Sequence, residues 1–216
     1  LGLAGCALLI SLGVWQMQRL AWKTEILDAI DARITAAPVE IPADPAEDTD
    51  KYLPVTVTGE LVGDPIFALV TPKGYGPGYR YLQALQTETR KIIVDLGWVP
   101  LDALGRQDWR IRFLSITGNL HWPDEQDEWT PEPDASGIWF ARDVTTMAKA
   151  LNTEPVLLVV RTASQSDPLV TPLPVDTGGI SNDHLNYAIT WFSLAAIWLA
   201  MSILFMRRRR GAKLES

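Results

Sequence analysis

The chain reads as a membrane protein in which two transmembrane helices flank an external α+β domain, with a mainly antiparallel sheet able to curl into a small barrel. Three observations predict this. Leu185 to Met206 are 22 consecutive residues without a charge, followed at once by Arg207-Arg208-Arg209-Arg210. Leu1 to Met17 are uncharged as well. Between them lie short runs of alternating apolar and polar residues separated by turn-forming clusters, which is a strand pattern.

The second span is the clearer one. As a helix its 22 uncharged residues cover roughly 33 Å, enough for a hydrocarbon core of about 30 Å. The arginine cluster, with Lys213 behind it, places the carboxy end on the cytoplasmic side. The first span, 17 residues or roughly 25 Å, is slightly short, and because the sequence does not open on methionine a longer helix is expected. A cleaved signal peptide is the competing reading. It requires a positive start and a small-residue cleavage site, and Trp15-Gln16-Met17-Gln18-Arg19 is better suited to an interfacial anchor. Arg19 and Lys23 mildly oppose the orientation set by the denser Arg207–Arg210 cluster. The expected organisation is therefore a first transmembrane helix over 1–18, an external domain over 19–183, a second transmembrane helix over 184–206 and a basic cytoplasmic tail over 207–216. No transit segment is visible. This favours the bacterial inner (cytoplasmic) membrane, with the central domain in the periplasm, over a mitochondrial location.

Within the external part, Ile26, Leu27, Ile30 and Ile34 recur at helical spacing, so the first helix is expected to continue through Thr24 to Ala36. Pro38 to Asp50 is a proline-rich acidic connector. Tyr52 to Val62 carries the alternating Val55-Thr56-Val57-Thr58, a strand, and Ile66 to Thr71 is a second one. Pro72-Lys73-Gly74-Tyr75-Gly76-Pro77-Gly78 is a turn cluster. Tyr79 to Leu85 and Lys91 to Val99 form a hairpin across residues 86–90. Arg110 to Trp122 alternates, Pro123 to Ser136 is an exposed acidic loop, and Ile138 to Ala141 is a short strand. Asp143 caps a helix from Val144 to Leu151, and Val156 to Thr162 is the last strand.

Composition narrows the function. Thr24 to Asp183 hold 25 acids against 12 bases. Such a domain offers no basic face to phosphates, so nucleic-acid binding is excluded. Membrane lipid is the expected surrounding of both spans. Cys6 is the only cysteine, which excludes an intrachain disulfide, a Cys-x-x-Cys redox pair and a thiolate copper site. Neither of the two histidines, His121 and His184, stands in a nucleophile motif, so the chain is not expected to be an enzyme. His121, in a strand-like stretch beside Trp122, reads as a packing residue. Gly74-x-Gly76-x-Gly78 lacks the following helix of a nucleotide cradle and reads as a hairpin turn. The acids of Asp124 to Asp134 do not have EF-hand spacing.

His184 is set apart by its place. With Ser181, Asn182 or Asp183 as cap, it falls in the first turn of the second span, at the outer membrane surface. Residues 184, 187, 191, 195 and 198 share a helical face: His184, Tyr187, Trp191, Ala195 and Trp198. A neutral imidazole is a good ligand for haem iron, and aromatic residues one and two turns deeper can pack against a porphyrin. The same aromatic residues also belong at a membrane interface for their own sake.

Leu12-Gly13-Val14-Trp15-Gln16-Met17-Gln18-Arg19-Leu20-Ala21-Trp22-Lys23 resembles the L-G-x-W-Q-x-x-R-L-x-W-K segment of the surfeit locus protein 1 family of cytochrome c oxidase assembly factors. Tyr52-x-Pro54-Val55 with Gly59, Gly97-Trp98-Val99-Pro100, and Trp139 with Asp143 resemble further motifs of that family. The most specific is Asn182-x-His184-x-x-Tyr187-x-x-Thr190-Trp191. Asn186 stands where Gln is expected, and Gly78-Tyr79-Arg80-Tyr81-Leu82-Gln83 departs from the expected valine and Thr-Pro pair. The resemblance implies two spans around an external domain and a part in assembling haem-copper oxidases. It further implies binding of haem a with His184 as the iron ligand, the haem coming from haem a synthase and going to cytochrome c oxidase subunit I. Tyr187 and Trp191 would line the haem. Trp15 and Arg19 lie at the outer mouth of the first span, where Arg19 could pair with a haem propionate or simply anchor its helix. The second axial position is left open. The alternative is an interaction factor that stabilises oxidase intermediates without binding haem, using aromatic and acidic surfaces for docking.

Overall fold

The computed structural model describes residues 2–104 and 113–214. They divide into two units, one of residues 1–30 with 177–216 and one of residues 31–176.

The second unit is a β-barrel. Its strands are β1 (Pro54–Val70), β2 (Gly78–Gln86), β3 (Lys91–Pro100), β4 (Phe113–His121), β5 (Ile138–Trp139) and β6 (Leu157–Ala163). The order β2-β3-β6-β4-β1 closes through a further pairing of β1 with β2, giving five strands in a ring, and β5 adds beside β1. All pairings within the ring are antiparallel except β3 with β6. Closure leaves the ring no unpaired edge.

One strand replaces two expected ones. Tyr52 to Val62 and Ile66 to Thr71 are expected as separate strands, with the segment Gly63-Asp64-Pro65 between them. Instead β1 runs through it, with a shift of register between Val62 and Ile66 and Gly63 at φ 71°. The irregularity bends β1, so that its first half pairs with β4 and its second half with β2. The hairpin of β2 and β3, the Gly74–Gly78 turn and the final strand lie where the pattern puts them. In the expected strand Arg110 to Trp122, residues 110–112 fall outside the described residues.

Alternation fills the barrel. Leu158 and Val160 of β6 point into a core with Val55, Leu85, Ile92, Val94, Leu114, Ile116 and Leu120. Leu157 and Val159 point the other way, against Val144, Met147 and Ala148 of α3 (Val144–Leu151). With both faces covered, β6 reads as a continuous apolar run. Asp143 caps α3 by accepting from the Thr146 backbone N–H at 2.7 Å.

A buried polar network ties loops to the wall. Asp95 of β3 is fully buried, and its Oδ2 accepts from Arg80 Nη1 at 3.1 Å and from Arg142 Nη1 at 2.9 Å. Asp95 Oδ1 accepts from the Gly97 backbone N–H. Arg142 also forks onto Glu125, and Arg80 donates to the Leu173 carbonyl. Burial pulls the Arg80 guanidinium below its usual pKa, with Asp95 countering. For Arg142 burial acts in the same downward sense, but its hydrogen bonds to Glu125 and the charge of Asp95 prevail and raise it. Burial would raise Glu125; hydrogen bonding and charge from Arg142 hold it below the usual carboxylate value. Separately, the carbonyl of Ile34 accepts from Asn119 Nδ2 at 2.9 Å and from Arg161 Nη1 at 3.0 Å. These bonds satisfy a carbonyl that a helix end leaves open.

The first unit is a helix pair. α1 spans Gly2–Ile34 and α4 spans His184–Leu214. A short helix, α2 (Glu47–Asp50), lies in the acidic connector and belongs to the second unit. Both α1 and the His184–Arg208 part of α4 are long and apolar enough to cross a membrane. They run antiparallel, as the contacts show: Trp198 Nε1 donates to the Gly2 carbonyl at 2.8 Å, Cys6 packs at Ala195 and Gln16 meets His184. Glycines face large side chains across the interface, Gly5 against Trp198 and Gly13 against Phe192. Small residues let two backbones approach where no hydrophobic effect drives them together.

Candidate functional site

His184 opens α4. The Asp183 carbonyl accepts from the Tyr187 backbone N–H, which puts Asp183 at the capping position and His184 in the first turn. The ring is half-buried. Its Nδ1 lies 2.8 Å from Oε1 of Gln16. Among the described residues no hydrogen bond engages the other ring nitrogen. Gln16 itself is only 8% exposed, an amide side chain buried within a helix pair.

The expected aromatic face is only partly assembled. Beside Phe192 and Trp198, which meet α1 glycines, the α4 residues on the side of α1 include His184, Ala188, Trp191 and Ala195; Ala188 and Ala195 are buried and Trp191 is half-buried. Tyr187 is 56% exposed, off to the side of that face. On α1 the Arg19 guanidinium lies over the Trp22 ring at 4.7 Å, a cation–π contact one turn along the same helix. Trp15 is exposed, and among the described residues no hydrogen bond or ring contact joins Trp15 or Arg19 to His184. The residue that composition and periodicity missed is Gln16. Its signal was there: an uncharged polar side chain close to the end of an apolar span, a position where such groups usually find a partner.

The arrangement suits a single imidazole ligand. Among the described residues no three of His, Cys, Asp or Glu gather to hold a bare metal ion. A porphyrin brings four nitrogen ligands of its own and asks the protein for one or two. A cavity of about 620 Å³ lies at the other end of the helix pair, between Gly2, Leu3, Trp198, Ser202 and Phe205. Trp198 is 14 residues from His184, roughly 21 Å along the helix, so that cavity is an apolar groove away from any polar chemistry.

His121 has no such role. Its ring stacks at 5.7 Å on Tyr52 and its Nδ1 is buried without a partner. Burial, together with the charges of Arg142 and Lys51, lowers its pKa to about 4, so it is a neutral packing residue at ordinary pH.

Comparison with known proteins identifies the family. A profile of the SURF1 family matches residues 3–196. The SURF1-like protein of Caenorhabditis elegans is 28% identical over 227 residues, covering 89% of this chain and 69% of that protein. The SURF1-like protein of Monosiga brevicollis is 30% identical, covering 93% and 84%. Surfeit locus protein 1 of Homo sapiens is 27% identical, covering 86% and 69%. With a match that runs from the first span through the His184 face to Ala195, the chain belongs to the SURF1 family, which are non-enzymatic assembly factors of cytochrome c oxidase.

Proposed function

We propose that this chain binds haem a through His184 and assists its insertion into subunit I of cytochrome c oxidase, with haem a synthase as the donor. Haem a is cargo in this reading, and its redox chemistry belongs to the oxidase. The observation that carries the reading is the state of His184: one ring nitrogen is held by Gln16 and the other has no partner among the described residues, at the start of a membrane-spanning helix. Trp191, on the same face two turns deeper, offers a ring to stack on, and exposed Tyr187 offers a flank. Arg19 and Trp15 serve the propionate side only if Arg19 leaves Trp22. A single ligand on a half-open face favours release as well as binding, which a transfer factor needs.

The proposed placement is the bacterial inner membrane, with helices over about 1–18 and 184–206, the barrel in the periplasm and the arginine-rich tail in the cytoplasm. The test is the visible absorption spectrum of detergent-purified protein made with haem a synthesis enabled. We expect a haem spectrum in the wild type and its loss in His184→Ala, with insertion and folding unchanged. Haem retained in the variant would move the site elsewhere.

A second reading rests on Trp129, which is 82% exposed within the acidic loop after β4. A bare tryptophan among carboxylates is a docking feature for a protein partner. If neither form of the protein carries haem, the interaction-factor reading stands, and Trp129→Ala should then reduce co-purification of oxidase subunits.

A further inference from the structure

We infer that Gln16 is the positioning residue for His184, fixing its tautomer so that Nε2 is the nitrogen left for a ligand. A carbonyl oxygen accepts and cannot donate. The 2.8 Å contact between Gln16 Oε1 and His184 Nδ1 therefore requires a proton on Nδ1. In the neutral ring the lone pair then sits on Nε2. The Nε2–H form is the commoner one in free histidine, so the bond works against the intrinsic preference.

The contact is held from both sides. Gln16 is buried between apolar helices, where an amide without a partner costs free energy. The register that brings it to His184 is set further along the pair by Gly13 against Phe192, Cys6 against Ala195 and Trp198 on Gly2. Gln16 thus meets His184 at the end of an interface already aligned, and little additional ordering is needed. Metal-binding histidines ordinarily donate their second N–H to an acceptor that orients the ring and raises its basicity. Gln16 fills that part here, from a different helix. Its position also makes the ligand conditional on helix pairing: if α1 and α4 separate, His184 loses its orienting partner.

The tautomer claim stands without haem, whereas its consequence for affinity rests on the haem-binding reading above. The experiment separates the two. Full-length protein with 15N-labelled histidine, in lipid nanodiscs and free of haem, is compared as wild type, Gln16→Met, Gln16→Glu and His184→Ala, the last to assign the signals. We expect His184 as the Nδ1–H tautomer in wild type and Gln16→Glu, and a shift toward Nε2–H in Gln16→Met, which keeps the side-chain volume but removes the acceptor. Titration with haem a should then show Gln16→Met weakened by about 10- to 100-fold, the range for loss of an orienting partner. Gln16→Glu should bind within a few-fold of wild type with a lower reduction potential. A wild-type His184 in the Nε2–H form overturns the inference, and so does a Gln16→Met variant with unchanged tautomer. Nδ1–H in wild type with no haem uptake supports the inference and rejects the haem reading. If Gln16→Met fails to insert, the wild-type tautomer and Gln16→Glu still decide.

Discussion

In the barrel the buried carboxylate of Asp95 is answered by two guanidinium groups, whereas in the helix pair the buried amide of Gln16 meets one imidazole, that of His184. The barrel wall is closed by strand pairing all round, while the helix pair is joined, among the described residues, by small-residue contacts and by polar ones at Cys6, Gln16 and Trp198. A charged group can be kept inside only where every neighbour is fixed, so the network belongs in the rigid unit. On the proposed function, a site that takes up and gives back a ligand belongs where local opening is cheaper. On that reading one unit resists change and the other permits it.

The largest effect expected from breaking this comparison is at Asp95. Asp95→Ala leaves Arg80 and Arg142 buried together without their shared anion. Loss of one member of a buried pair typically costs about 3–5 kcal/mol. For a domain of this size that lowers the melting midpoint by on the order of 10 °C. Near-UV circular dichroism of the full chain in detergent measures it. On the proposed function, the haem spectrum tested with His184→Ala should persist at temperatures below the new midpoint.

A smaller effect is expected from pH. His121 has its pKa lowered from 6.5 to about 4, chiefly by burial. The folded state holds it neutral while the unfolded chain protonates it below about pH 6.5. Its contribution is thus fully favourable above pH 6.5, is lost as pH falls toward 4, and changes no further below that. The depression corresponds to a loss of roughly 3 kcal/mol across that window. His121→Gln should flatten the acid side of the stability curve between those limits. An unchanged slope would mean that the ring is wetter than its surroundings suggest.

What the sequence made legible was local. The Asp143 cap and the β2–β3 hairpin each depend on residues within one turn or one connection, and periodicity finds such things. The two spans were legible from length and charge alone. The Asp95–Arg142 contact joins residues 47 apart and the Asn119–Ile34 bond residues 85 apart; no period encodes them. The break between the two expected strands at Gly63-Asp64-Pro65 is an irregularity within one strand, because its two sides pair with different neighbours, which no local pattern encodes. At the site, His184 was visible by its place, but Gln16, 168 residues away in sequence, needed the antiparallel register of the two helices.

The finest test compares the same added methyl group in the two units. In the barrel, a Cβ on Gly118 would stand 2.2 Å from the Val159 backbone carbonyl oxygen, an atom fixed by the β4–β6 ladder. In the helix pair, a Cβ on Gly13 would stand 2.6 Å from the ring of Phe192, an exposed side chain with room to rotate outward. Overpacking costs about 1–3 kcal/mol where the surroundings cannot give way. Gly118→Ala should therefore fall at the upper end of that range in a thermal melt. Gly13→Ala should leave the barrel's melt unchanged and cost less than about 1 kcal/mol in helix pairing, since only a rotamer has to change. Gly13 lies one turn from Gln16, so any loosening that does occur should appear first in the His184 tautomer. If Gly13→Ala instead matched Gly118→Ala in cost, the helix pair would be as rigid as the barrel, and ease of opening could no longer explain why the histidine sits there.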